Sequence, residues 1–304
     1  MGILQVTLFG GIRITKNNWT TEIKIPREVQ LLLAYLLIHR HRTRPREVVA
    51  GIFWGELGQE RAHASLSNAL WKLKKVLEPD GIPAGTYLVN THPGEVGFNR
   101  ESQYWLDVEV FEQETGHLLA SPPDQADETN IHELEKILRL YQGELLEGSY
   151  KEWALGERER LRILYLKSLR YLLQYYRFRG LYEDGLAYGQ QILNVDPLRE
   201  DVHREMMRLY QDNGQRALAV RQHEVCRLAL DKELGISPME ETEALYTKIL
   251  TEADSNNSRM ISNQQTNIDQ AMGQLRQANQ TIDLAKEQIQ QALELIGKSS
   301  EHTE

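Results

Sequence analysis

Along residues 61–79, RAHASLSNALWKLKKVLEP, the polar side chains form one stripe: Arg61, Ser65, Asn68, Lys72 and Lys75, at steps of four, three, four and three. A helix of 3.6 residues per turn keeps those steps on a single face. Leu66, Leu70, Leu73 and Leu77 recur on the opposite side and mark the buried face. No acidic residue interrupts the stripe, although the 304-residue chain carries a net charge of -9. The chemistry open to such a face is cationic and hydrogen-bonding, which suits a polyanion.

Charge is distributed in the same sense. Residues 1–106 hold 13 Lys and Arg against 9 Asp and Glu, a net of +4, which leaves −13 for the remainder. A basic amino-terminal unit on an acidic body points to an anionic partner for the first part alone. Other chemistries find little support. The sequence lacks HExxH, a G-x-S-x-G elbow and a GxGxxG after a strand, so it does not read as an enzyme. GKSS at 297–300 follows a helix and lacks the upstream glycine of a phosphate-binding loop. His39 and His41 have no carboxylates around them, and the single cysteine, Cys226, reads as a small core residue, so neither cofactor nor metal is expected. The longest apolar run, LLLAYLLI at 31–38, is too short for a membrane span, and the start lacks a secretory signal. The expectation is a cytoplasmic protein.

Several elements must position the stripe. LQVTLFG (4–10), GIRIT (11–15) and TEIKI (21–25) read as a small antiparallel sheet. Pro26 opens an apolar helix, REVQLLLAYLLIHR, and Pro45 a shorter one, PREVVAGIFW, with Val48, Val49, Ile52 and Phe53 expected to face inward. The striped helix follows, and TYLVN and VGFN then make a hairpin with Gly94 in its turn. Sheet, three helices and hairpin are the parts of a winged helix-turn-helix. In that setting the striped helix enters a major groove of duplex DNA. Arg61 suits guanine or phosphate, Asn68 a base edge, Ser65 either, and Lys72 and Lys75 the phosphates. Arg44 and Arg46, just before the second helix, would grip the backbone across the groove. Trp71 lies beside Asn68 and Lys75 and is expected to pack on the hairpin. The turn THPGE brings Glu95 and no Lys or Arg, so the wing should contact DNA weakly.

Beyond residue 106 strand signals vanish and helices run to about 253. Tyr176 and Tyr210, and Gly180 and Gly214, are each 34 residues apart, the period of a tetratricopeptide repeat. From 254 the chain is rich in Gln and Asn, with Ile261, Ile268, Leu275, Ile282, Ile289 and Ile296 at every seventh position. That spacing predicts a coiled coil and self-association, with the number of strands open. The fold class is therefore multidomain: an α+β winged helix-turn-helix over 1–106, an all-α tetratricopeptide-like domain over 107–253, and a coiled-coil tail over 254–304.

The residues carry a family resemblance. Leu32 to Leu37, Phe53-Trp54-Gly55, and Ser65-Leu66 through Leu73-Lys74 resemble the OmpR-type winged helix of the SARP (Streptomyces antibiotic regulatory protein) regulators. The stretch with Pro197, Arg199, Glu200, Met207, Tyr210, Gly214, Ala217, Leu218, Glu233, Leu234, Gly235 and Pro238 resembles the bacterial transcriptional activator domain that follows it in that family. The resemblance implies an activator that binds direct repeats near a promoter −35 element and recruits RNA polymerase through its sigma and alpha subunits. It departs from the family pattern in its acidic wing and in lysines where Lys72, Lys74 and Lys75 replace arginines, which removes bidentate geometry. The rival reading is a helical-repeat and coiled-coil scaffold for protein partners with a vestigial DNA reader.

Overall fold

The computed structural model describes residues 3–16, 25–89, 94–251, 270–278, 281 and 286. The chain is mostly helical with two small sheets near its start, and it divides into two compact units, residues 1–196 and 197–304.

In the first unit β1 (Leu4–Thr7) and β2 (Arg13–Lys16) pair antiparallel, as their alternation predicts. The third strand is β6 (Tyr104–Leu106), which runs parallel to β1, with Val6 opposite Leu106. The sheet is thus mixed and not antiparallel as expected, and Ile25 lies outside any strand; residues 21–24 fall outside the described set. Asp107, directly after β6, is buried and accepts from the amides of Leu8 at 2.8 Å, Phe9 at 3.0 Å and Val108 at 2.8 Å. That fan of amides holds a carboxylate in the interior, although burial still pushes its pKa up.

α1 (Arg27–Ile38) is buried from Leu31 to Leu37 on all sides, as its unbroken apolar run requires. A two-residue strand β3 (Arg44–Pro45) leads into α2 (Arg46–Trp54), and a 3-10 turn (Gly55–Leu57) into α3 (Gln59–Leu77). On α2 only two of the four expected core positions are buried. Val49 and Phe53 point inward, whereas Val48 is 46% and Ile52 37% exposed, since the buried arc of the helix is rotated toward Ala50 and Trp54. β4 (Leu88–Val89) and β5 (Glu95–Phe98) form the hairpin, and β5 also pairs with β3. Helices α1–α3 and the hairpin therefore follow in the order of a winged helix.

Four helices complete the unit: α4 (Asp107–Leu118), α5 (Glu128–Leu138), α6 (Glu152–Phe178) and α7 (Tyr182–Val195). They are bound to the first hundred residues by more than chain continuity. Arg40, almost fully buried at the end of α1, donates to Glu109 of α4 at 2.9 Å. Trp153 of α6 meets Tyr35 of α1 edge-on at 5.2 Å and Phe53 of α2 at 6.1 Å. Gly143 lies so close to Gly10 that a Cβ there would meet the Gly10 Cα at 2.9 Å. Residues on both sides of 106/107 thus share one compact unit.

The second unit contains α8 (Glu200–Asp212), α9 (Arg216–Leu234) and a further helix over residues 240–251. The 34-residue offset is visible in the turns. After α6, Leu181 N donates to Tyr176 O at 2.9 Å and Gly180 N to Arg177 O at 3.1 Å; after α8, Gln215 N donates to Tyr210 O at 2.7 Å and Gly214 N to Gln211 O at 3.0 Å. Both are Schellman closures, with the glycine left-handed at φ 72° and 71°. Cys226 is fully buried in α9 and its thiol is pushed up to about 12 by that burial. Of the proposed coiled-coil tail only 270–278, 281 and 286 are described; they are helical and exposed, Leu275 among them. The remaining heptad positions lie outside the described residues.

Candidate nucleic-acid interface

α3 forms where a helix should. Gly58, at φ 76°, turns the chain into it, Glu60 sits in the first turn, and Lys74 and Lys75 sit in the last, each complementing the helix dipole. Leu66, Leu70, Leu73 and Leu77 are buried against α1 and α2, so the opposite side is turned to solvent. Arg61, Asn68 and Lys75 are exposed, and Ser65 and Lys72 are half-buried at the flank. The outer ridge also carries Glu60, Ala64, Ser67 and Trp71. Among the described residues Arg61, Lys72 and Lys75 form no ion pair, and the side chains of Ser65 and Asn68 make no hydrogen bond. Those five side chains are thus donors and acceptors that the fold itself does not use.

Trp71 does not pack on the hairpin as expected. It stands 58% exposed, with Lys75 Nζ 5.3 Å from the centre of its ring. The indole and the ammonium therefore form one projecting feature between Asn68 and the end of the helix.

The two arginines before α2 part company. Arg46 Nη2 donates to Ser67 Oγ at 2.9 Å, and Arg46 N to Gly94 O at 2.8 Å, so this residue ties α2, α3 and the hairpin together at the edge of the face. Arg44 is half-buried and turned inward, its Nη2 3.4 Å from His39 Nδ1 and its Nε buried without a partner. Burial, reinforced by the Arg44 charge, holds the His39 imidazole below its usual pKa. Arg44 is therefore not brought together with the α3 stripe.

Two anchors set the wing against α3. Glu78, just past the helix, accepts from Tyr87 N at 2.7 Å, Leu88 N at 3.0 Å and Gly85 N at 3.1 Å. Thr43 donates to Glu95, and Gly97 lets β5 press on Thr43, whose Cγ2 would lie 2.8 Å from an added Cβ. Neither Ser67 nor Glu78 stood out in the sequence. Glu78 did carry a signal, because an acid at a helix C-terminus opposes the dipole unless other amides claim it.

Residues 106–250 match the family model of the bacterial transcriptional activator domain. The chain carries a bacterial transcriptional activator domain. It is 24% identical over 249 residues to the regulatory protein AfsR of Streptomyces griseus, covering 81% of this chain and 24% of that one. It is 23% identical over 261 residues to the transcriptional regulatory protein MoaR1 of Mycobacterium tuberculosis, covering 82% and 80%. A solved structure of Mycobacterium tuberculosis EmbR, in complex with a low affinity phosphopeptide, superposes with a TM-score of 0.70 at 20% identity, over 83% of this chain and 66% of that one. The chain spans about a quarter of the length of the AfsR relatives. Among its described residues no helix is long and apolar enough to cross a membrane, and no three His, Cys, Asp or Glu side chains gather as a metal site.

Proposed function

We propose that the protein binds duplex DNA through α3 and activates transcription from the promoters it occupies. Residues 1–106 serve as the reader, 107–253 as the activator domain and 254–304 as the self-associating tail. Arg61, Ser65, Asn68, Lys72 and Lys75 face the major groove; Asn68 reads a base edge, and the cations position the helix on phosphates. Arg46 helps from the flank, held by Ser67, and Arg44 is left out of the contact set. Trp71 offers an apolar surface to a thymine methyl. The observation that carries this reading is the α3 face itself: free cations and an unbonded amide, with the leucines opposite fully committed to the core. The tail heptads would then bring copies together on repeated half-sites, and the activator domain would meet RNA polymerase.

Affinity for promoter-length duplex, measured against salt, tests the proposal. Engagement of four or five phosphates gives a log–log slope of about −4, at roughly −0.9 per contact. Asn68→Ala should cost about 1–3 kcal/mol on the cognate site and nothing on random DNA. A flat salt response would leave the protein-scaffold reading in its place, and equal losses on both DNAs would remove Asn68 as a reader.

A further inference from the structure

Between α5, α6 and α7 lies a cavity of about 450 Å3, lined by Glu135, Arg139, Tyr141, Tyr165, Tyr188 and Gln191. Its volume is within the range of small-molecule sites, roughly 300–1,000 Å3. Its charges are arranged unusually. Tyr176 and Tyr188, with rings stacked 5.7 Å apart, both donate to the same oxygen of Glu135, Oε1, at 2.6 and 2.7 Å. The second oxygen, Oε2, receives no hydrogen bond from the described residues. Burial and the carboxylate together raise both phenol pKa values, so the phenols remain donors and fix the orientation of Glu135.

Arg139 caps the C-terminal end of α5, one turn beyond Glu135, and is exposed at the rim. The i, i+4 spacing would allow it to pair with Glu135, yet the two form no ion pair, and Arg139 has no carboxylate partner among the described residues. The wall beside them is flat and aromatic, with Tyr141 and Tyr165 stacked at 4.1 Å and 8°. The cavity therefore offers one unfilled acceptor of negative charge, one unfilled cation a helical turn away, and an aromatic surface alongside. A simple amine would satisfy Glu135 and face Arg139 with like charge; a simple carboxylate would do the reverse. A zwitterion satisfies both.

We propose that this cavity binds a free α-amino acid with a large apolar or aromatic side chain. The ammonium group donates to Glu135 Oε2, the carboxylate accepts from the Arg139 guanidinium, and the side chain lies along Tyr141 and Tyr165, with the Gln191 amide at the rim. Charge-assisted hydrogen bonds of this kind give the site its selectivity. The inference is independent of the DNA reading, because none of these residues lies on α3 or the wing.

Titration calorimetry on the full chain tests it with L-phenylalanine, phenethylamine, which lacks the carboxylate, and 3-phenylpropionate, which lacks the ammonium. L-phenylalanine should bind saturably, and each analogue at least about tenfold more weakly, as expected for loss of one charged hydrogen bond. Glu135→Gln should abolish the advantage over 3-phenylpropionate. Arg139→Gln, at a surface position that leaves the phenol–carboxylate cluster untouched, should abolish the advantage over phenethylamine. No saturable heat with L-phenylalanine up to about 10 mM, equal affinity for the three compounds, or binding unchanged in Arg139→Gln would each overturn the proposal.

Discussion

At the scale of single residues the most exacting environment in the second unit belongs to His203. Its Nε2 lies 3.0 Å from Pro197 O and its Nδ1 2.7 Å from Gln222 Nε2. One neutral tautomer serves both contacts: Nε2–H donates to the carbonyl and Nδ1 accepts from the amide. Burial holds the imidazole below its ordinary 6.5. Between those two values the unfolded chain binds a proton that the folded chain refuses, so this contribution is complete above about pH 6.5 and lost as pH falls. Stability of the 197–251 region should therefore decline below that pH by up to about 1.4 kcal/mol per pH unit from this group. Urea titrations followed by hydrogen exchange at pH 7.5 and 5.5 measure the loss, and His203→Gln should reduce it. An unchanged pH difference in the variant would assign the acid sensitivity to other groups.

At the scale of elements, the repeated turns make a matched pair. Gly180 and Gly214 have open space where a Cβ would go, so only their left-handed φ opposes a side chain. Alanine at either position should cost about 1–2 kcal/mol, and asparagine less, because its side chain tolerates that conformation. Chemical denaturation of the four variants checks this, and similar losses at both sites are expected since the closures are alike. These turns were legible in the sequence because a helix end and its glycine are neighbours, and the 34-residue offset repeats them. The burial of Leu66, Leu70, Leu73 and Leu77 was legible for the same reason, as one helix sets its own period. What the sequence hid depends on distant partners. β6 is only three residues long and pairs with a strand about a hundred positions earlier, so no local alternation announces it. The short α2 allowed several wheels, and the inward one for Val48 and Ile52 was not taken. The five polar positions of α3 were read as one face from spacing alone, whereas the inward turn of Arg44 and the outward stance of Trp71 depend on what surrounds them.

At the scale of the molecule, the first unit depends on a joint between its early and late helices. Trp153 reaches from α6 to Tyr35 and Phe53, beneath the helices that support α3. Trp153→Ala should cost about 2–4 kcal/mol through lost packing. Hydrogen exchange in graded urea should show protection falling across α1, α2 and α6 while α8 and α9 keep theirs. A parallel fall in α8 and α9 would show that the chain unfolds as one cooperative body. The same interweaving has a consequence for biosynthesis. β1 meets β6 about a hundred residues later, Asp107 claims the amides of Leu8 and Phe9, and Phe9 bridges to Leu145. As the chain leaves the ribosome, its first strand must wait about one hundred further residues for β6, and Phe9 just after it some one hundred and forty for Leu145. Until then the apolar side chains of β1 are a natural client for a chaperone acting at the exit tunnel.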